Sequence, residues 1–393
     1  MRTVYSPNRY NPSSPFAPAR HLNHKGLHKV FDYVVLFCCT IFLLPLRAIC
    51  LFSTVIAYWL GVRIVTLGKW KQVYDESLLF DPFTGPRRYT LDYLHRGYSR
   101  LFLFFYGFIL TKRGQPTASN VPAIPNHVAF LDLFALMAYG VRTFVVMREV
   151  TTYPFIGFIF RSNCCIFVDR MDKVDCKTAA LRLTARLEAA VKEPNNPSIL
   201  VPSVFPEGSI TNQFQVISLK TGVFRSMSPL HPVAISYKGR FNGSNVGVLF
   251  ISHVYGCLTQ IIGKITVDFS HQVVTPASLQ VDNPKDYSIA CQGILSELLG
   301  VPTSSAVCED IMDWTAVVEG KMCEEEARSR YMERREGCPN LVIVESQDKD
   351  MKNEGEEENE DQNNDCLIFS TPFCSPPNTV LGVMESNEVY QLN

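Results

Sequence analysis

The chain lacks any Cys-x-x-Cys pair among its 13 cysteines, which removes the spacing on which most structural zinc sites are built. The cysteine count is odd, and several lie in apolar runs (Cys38, Cys39, Cys50) or side by side (Cys164, Cys165). No disulfide framework follows from such a pattern, so reduced thiols facing the cytosol are expected. Charge is also scarce, at 19% of residues, and the first 30 contain no acid at all. A calcium loop is missing too: Gly355 would be the turn glycine if Asp350 came first, but Lys352 would then fill the third ligand position. No metal site and no bound cofactor are therefore expected, nor is a nucleic-acid partner.

What fills the space is apolar. Hydrophobic residues make up 47% of the 393, with 26 Phe and 16 Tyr, which excludes both wholesale disorder and a coiled coil. Part of that excess is expected to meet a membrane. Residues 345–365 hold ten acids and two bases, so the rest of the chain is net basic although the whole is nearly neutral. That asymmetry suits anionic partners such as phosphate esters or a lipid surface.

Four regions follow. Residues 1–30, rich in Pro, Asn and Ser with Arg2, Arg9, Arg20, Lys25 and Lys29, read as a disordered basic leader rather than a signal peptide. Residues 31–68 read as a membrane-embedded segment: two apolar runs, 33–46 and 48–62, are divided by Pro45 and Arg47. Each run is shorter than the roughly 20 residues a straight span needs. The segment is therefore either a single tilted span that buries Arg47, or a re-entrant hairpin bent at Pro45, or a buried helix pair in a soluble core. Basic flanks on both sides, ending in Arg63, Lys69 and Lys71, favour the hairpin. Residues 88–310 form the catalytic candidate, and the acidic residues 345–393 read as a disordered tail.

Within 88–310, residues 88–107 predict an amphipathic helix ending in an aromatic cluster, facing either a membrane interface or the core. Short apolar runs at 108–112, 121–125, 144–147, 165–168, 198–205, 231–237 and 265–269 predict strands, and 174–191 predicts a helix with Ala180, Leu183, Leu187 and Val191 on one face. Strands alternating with helices argue for an α/β domain whose strand ends carry the site.

Three blocks there carry chemistry. Pro125-Asn126-His127-Val128-Ala129-Phe130-Leu131-Asp132 closes one strand and opens an apolar helix. His is the side chain best suited to take a proton near neutral pH, and a carboxylate fixes its tautomer. On one regular helix His127 and Asp132 would point about 140° apart, so they meet only if His127 lies in the turn before it. Phe205-Pro206-Glu207-Gly208-Ser209 ends another run, in a tight turn whose backbone N–H groups and hydroxyl can receive an oxyanion or phosphate. Arg170 follows the run Ile166-Phe167-Val168, where a phosphate clamp would sit, and Lys220 supplies a second cation.

In this order and spacing the blocks, with Leu230-His231-Pro232-Val233-Ala234-Ile235, resemble the glycerolipid acyltransferase family over roughly residues 90–300. A finer likeness, to the lysophosphatidylcholine acyltransferase branch and to microsomal glycerol-3-phosphate acyltransferases, lies in Glu207-Gly208-Ser209-Ile210-Thr211-Asn212 followed by Lys220 and Gly222-Val223-Phe224. One departure is Ala129, where the family often has Ser or Thr.

The resemblance implies an α/β sheet flanked by helices, with an N-terminal membrane hairpin or span. It implies an acyl-CoA-dependent O-acyltransferase of phospholipid synthesis or remodelling, with acyl-CoA as co-substrate and a lysophospholipid, lysophosphatidylcholine or similar, as acceptor. Alternatives are a glycerol-3-phosphate or lysophosphatidic acid acceptor, or a non-catalytic membrane scaffold on the same fold. His127 and Asp132 would be the catalytic pair. Arg170, Glu207, Gly208, Ser209 and Lys220 would bind substrate and phosphate, the N–H groups of Gly208 and Ser209 facing developing charge. The expected setting is a lipid bilayer, that of the endoplasmic reticulum or a lipid droplet, with the catalytic domain facing the cytosol.

Overall fold

A computed structural model describes residues 2–4, 27–116, 120–194, 196–241, 243–244, 246–334 and 341–343, with side chains from Tyr33 to Arg334. The acidic tail and most of the basic leader lie outside the described residues. Of the leader, Arg2–Val4 forms a short strand, β1, paired in parallel with β8 (Leu341–Ile343).

Apolar sequence first appears as one continuous helical run. Helix α1 (Leu27–Cys38) passes through a π-turn, Cys39–Leu43, into α2 (Leu44–Val65). The hairpin expected at Pro45 is thus replaced by an unbroken helix. Proline has no N–H to give the preceding turn and its ring crowds the carbonyl four residues back; the widened π-turn absorbs that mismatch without reversing the chain. Tyr33–Val65 is the one described helix long and apolar enough to cross a membrane. Its two sides differ. Thr54, Tyr58 and Val62 are buried against the rest of the molecule, whereas Leu46, Ile49, Phe52 and Ile64 are exposed.

Arg47 faces inward as well. Its guanidinium donates to the carbonyls of Leu258 (2.9 Å), Gln260 (2.5 Å) and Ile261 (2.7 Å), in the last turn of α8 (Phe250–Thr259) and just past it. A cation at a helix C-terminus satisfies orphan carbonyls and meets the negative end of the helix dipole. The charge that looked misplaced in an apolar run therefore ties α2 to α8.

After the short α3 (Trp70–Val73), α4 (Gly85–Tyr106) starts at Pro86 and stops at Gly107, whose φ of 105° ends it in a left-handed cap. It lies against α2 and buries Leu91, His95, Ser99, Phe102, Leu103 and Tyr106, so its predicted amphipathic pattern serves the core on one side. The central sheet has the order β2-β7-β6-β3, from Phe108–Arg113, Gly263–Phe269, His231–Lys238 and Ala123–Pro125. Neighbours β2 and β7 are parallel, as are β3 and β6, while β6 and β7 are antiparallel. A second parallel pair joins β4 (Val145–Met147) to β5 (Ile166–Val168).

The strand predicted at 198–205 is only extended chain. Pro202 removes a ladder donor, and the segment keeps isolated bridges, Phe80 to Ile199 and Phe144 to Ser203, with a bond from Val204 N to Ala123 O at 3.1 Å. It still lies between β3 and β4, which links the two sheets.

Ala123 packs with α2, α4 and α5 (Leu131–Met137), while its neighbour Ile124 packs with α7 (Lys173–Lys192) and α9 (Pro284–Leu299). The alternation of the strand thus places helices on both faces; α6 (Ile156–Ser162) joins the first face through Phe158 and Ile159. Helix α7 covers the predicted stretch and starts on Asp172, whose carboxylate accepts from Val174 N and Asp175 N. Of the expected face Leu183 and Leu187 are buried, but Ala180 and Val191 are exposed, and Arg186 turns inward to donate to Leu78 O (2.9 Å) and Cys164 O (2.7 Å). Beyond residue 310 the packed body continues: α10 (Cys308–Val318) and α11 (Glu324–Glu333) form a third apolar cluster with Ile217 and Ala306.

Candidate active site

The chain leaves β3 at Pro125 because proline cannot donate to a further rung. The next rung is made by a side chain: Asn126 accepts from Ile235 N at 2.7 Å and donates to Ile235 O at 3.0 Å. With Asn126 holding the sheet, His127 is free to turn out of it before α5 begins. His127 Nδ1 then lies 2.9 Å from Asp132 Oδ2, the contact that a single regular helix could not make. The same oxygen accepts from Val128 N (2.6 Å) and Ala129 N (2.9 Å), so Asp132 also fixes the turn that leads into its own helix. Its other oxygen accepts from Tyr237 Oη at 2.5 Å. Asp132 is fully buried, whereas 16% of the His127 side chain reaches solvent.

The loop after Pro206 clasps His127 by its backbone. Glu207 Oε2 accepts from His127 N at 2.6 Å, and His127 O accepts from Thr211 N (2.7 Å) and Thr211 Oγ1 (3.0 Å). Phe205 stacks on the imidazole with centroids 4.2 Å apart. Glu207 has no solvent exposure, and burial pushes its carboxyl up to about 8, opposed by the His127 N–H. Its carboxyl group thus meets the His127 main chain inside the protein.

Gly208 needs its lack of a side chain: φ is 73°, and a Cβ would stand 3.0 Å from Cε of Lys220. Its N–H, expected to face developing charge, is used inside the turn, donating to Phe205 O at 3.1 Å. A turn this tight closes its own hydrogen bond. Ser209, half-buried beside it, is the remaining backbone donor of the pair.

Lys220, one of the two expected cations, is tied to this loop by its backbone, its N–H donating to Pro206 O at 2.7 Å. Burial pushes the Cys308 thiol up, and the positive charges of Lys220 and Arg170 oppose that shift; Cys308 itself donates to Gly208 O at 3.2 Å. Arg170 is exposed beyond β5 and makes no ion pair among the described residues. Lys220 does: its Nζ lies 2.8 Å from Glu309 Oε1 on α10. Among the described residues no group of three or more His, Cys, Asp or Glu side chains is placed to hold a metal ion.

Sequence reasoning missed Tyr237, Glu309 and the pairing role of Asn126. Tyr237 lies two residues past a recognised block with nothing in its spacing to tie it to Asp132, and Glu309 lies 89 residues from Lys220 in the chain.

Residues 110–236 match the acyltransferase family. The chain is 27% identical over 304 residues to the lysophospholipid acyltransferase LPEAT1 of Arabidopsis thaliana, covering 65% of this chain and 75% of the relative. It is 26% identical over 276 residues to the human lysophosphatidylcholine acyltransferase 2, covering 69% and 48%, and 25% identical over 313 residues to the Drosophila melanogaster lysophosphatidylcholine acyltransferase, covering 77% and 55%. The chain thus spans three quarters of the plant relative and about half of the two animal ones. Among solved structures, the 1-acyl-sn-glycerophosphate acyltransferase PlsC of Thermotoga maritima aligns with a TM-score of 0.40 and 15% identity over 65% of this chain and 96% of its own. The stretch that matches the acyltransferase family, residues 110–236, is the one that holds His127, Asp132, Arg170, Glu207 and Lys220.

Proposed function

We propose that the chain is an acyl-CoA-dependent O-acyltransferase that acylates a lysophospholipid, lysophosphatidylcholine or a close analogue. The observation that carries this reading is the His127 imidazole, held through Nδ1 by the buried Asp132 while its ring edge reaches solvent. Nε2 takes the proton of the acceptor hydroxyl as that oxygen bonds to the thioester carbonyl carbon. The C–S bond breaks, and the proton passes from His127 to the departing sulfur. Asp132 offsets the imidazolium charge between these steps. No acyl-enzyme is needed, because the thioester is already activated and no Ser or Cys hydrogen-bonds His127 among the described residues.

Arg170 and Lys220 serve the acceptor phosphate, Ser209 N–H serves developing charge, and Glu207 fixes the His127 backbone. Membrane contact falls to the outward side of α2 and to α8, whose Leu249, Phe250 and Ile251 flank is exposed. Thr40 Oγ1, in the π-turn before α2, lies 2.7 Å from Tyr255 Oη of α8, so the apolar sides of α2 and α8 meet the bilayer together. This setting is the cytosolic leaflet of the endoplasmic reticulum or a lipid-droplet surface.

The test is purified chain in mixed micelles, given palmitoyl-CoA and a panel of lysophosphatidylcholine, lysophosphatidic acid and glycerol 3-phosphate, followed by release of free thiol. Turnover with a lysophospholipid supports the reading, and preference for glycerol 3-phosphate replaces the acceptor. His127→Ala should remove detectable transfer, since a general base typically contributes about 10²–10⁴-fold. Unchanged activity there would sink the mechanism.

A further inference from the structure

The proposed chemistry uses one edge of the Asp132 carboxylate, where Oδ2 meets His127 and two backbone N–H groups. The opposite oxygen has its own donor, 105 residues away in sequence: Tyr237 Oη, 2.5 Å from Oδ1. We infer that Tyr237 is a positioning residue for the catalytic pair, fixing the plane of Asp132 and sharing its negative charge. The inference rests on the reading of His127 as general base.

Three observations show that this phenol is held in place. First, Tyr237 is built into β6 by another side-chain amide. Gln213 Oε1 accepts from Tyr237 N at 2.7 Å and Gln213 Nε2 donates to Tyr237 O at 2.9 Å. This repeats, two residues on, what Asn126 does for Ile235. The strand that should have continued β3 is thus replaced by two amides, one next to His127 and one on Tyr237, so both ends of the Asp132 contact are registered on the same strand. Second, the ring is boxed. Phe108 meets it edge-on at 5.5 Å, and a Cβ on Gly243 would stand 2.1 Å from its Cδ1. Third, the hydroxyl stays protonated. Burial, and next the charge of Asp132, hold the phenol well above its ordinary value, so it acts as donor and never as a second anion.

The consequence concerns how firmly Asp132 attracts a proton on His127. A donor on Oδ1 draws off carboxylate charge that would otherwise favour the imidazolium. Removing it leaves His127 protonated to a higher pH, and lets the carboxylate rotate about its remaining bonds. The other groups facing this pair are Glu207, through the His127 backbone, and Tyr106 and Cys257, whose influence reaches Tyr237; none carries a full charge next to Oδ1.

The experiment is Tyr237→Phe in the full chain, assayed with palmitoyl-CoA and lysophosphatidylcholine across pH. A hydrogen bond to a charged group is worth enough that kcat should fall about 10-fold or more. Both KM values should stay within about twofold of wild type, and the acid limb of kcat/KM should move to higher pH. A thermal midpoint measured alongside separates this from loosened packing, which would leave the limb in place. An unmoved acid limb with unchanged kcat overturns the inference, as does a loss confined to KM. Should Tyr237→Phe fail to accumulate, 3-fluorotyrosine at 237 keeps ring and hydroxyl but donates more strongly, and the acid limb should move down; an unmoved limb again overturns the role. His127→Ala is the separate control: if it retains full activity the base reading fails, whereas an inactive His127→Ala beside a wild-type profile for Tyr237→Phe sinks only the role of Tyr237.

Discussion

Lys220 Nζ lies 2.8 Å from Glu309 Oε1, so a cation proposed for the acceptor phosphate is held by the helix that follows the catalytic sheet. Both side chains are about half exposed, and such an ion pair is typically worth about 0–1 kcal/mol, little enough for a phosphate to displace. Glu309→Gln frees the ammonium without removing it. The KM for a phosphate-bearing acceptor should fall about two- to fivefold while that for acyl-CoA stays put. If acyl-CoA responds instead, the phosphate read by Lys220 belongs to the donor.

Arg170 is tested by the same split in the opposite direction. It is exposed, with no ion pair among the described residues, and its guanidinium suits the bidentate geometry of a phosphate. Arg170→Ala should raise the acceptor KM about 10-fold or more with kcat little changed, and Arg170→Lys should restore only part of it, because the fork is lost. Equal rescue by lysine would reduce Arg170 to a source of general positive charge.

Much of this site was readable in the sequence because its parts are local. His127 and Asp132 are five residues apart across a turn, Glu207 and Gly208 share a tight turn, and the helix over 174–191 was legible from its own stretch, although its buried side takes in Arg186 and leaves Ala180 and Val191 exposed. What was not readable depends on distance in the chain. Nothing near Tyr237 points to Asp132, and nothing near Arg47 points to the carbonyls of Leu258, Gln260 and Ile261. The hairpin expected at Pro45 gives way to a helix that continues through a π-turn, and its Arg47, Thr54, Tyr58 and Val62 are buried against groups that sequence spacing does not reveal. The run at 198–205 failed because apolar alternation outvoted Pro202.

Glu207 makes stability depend on pH in a stated direction. Burial raises its carboxyl to about 8 from an ordinary value of 4.5, so the folded chain keeps a proton that the unfolded chain releases. Stability from this group is complete below about 4.5 and is lost as pH rises through about 8, on the order of a few kcal/mol in total. His95, which burial pushes down to about 3, acts oppositely on the acid side: its contribution is present above its unfolded value and lost as pH falls. The difference between wild type and Glu207→Gln therefore isolates Glu207. The glutamine variant keeps an oxygen for the His127 N–H, so it should fold and stay active at neutral pH. Its thermal midpoint should decline less than that of wild type between pH 5 and about 8. Parallel curves would mean that the carboxyl is ionised in the folded chain.

The membrane arrangement follows from which side of α2 is occupied. Tyr33–Val65 is long and apolar enough to cross, but its side bearing Arg47, Thr54, Tyr58 and Val62 is turned to protein. We expect instead that α2 lies against the cytosolic leaflet with α8 beside it, both presenting apolar side chains outward. Two measurements check this. Epitope tags near Met1 and Asn393 should both be accessible after selective permeabilisation of the plasma membrane, and protection of the N-terminal tag alone would establish a crossing. Separately, Ile251→Asp, on an exposed position of α8, should weaken flotation with phosphatidylcholine vesicles while leaving the thermal midpoint in detergent unchanged. Flotation equal to wild type would confine membrane contact to α2, and the pairing of Arg47 with α8 would then serve only to seat that helix on the catalytic body.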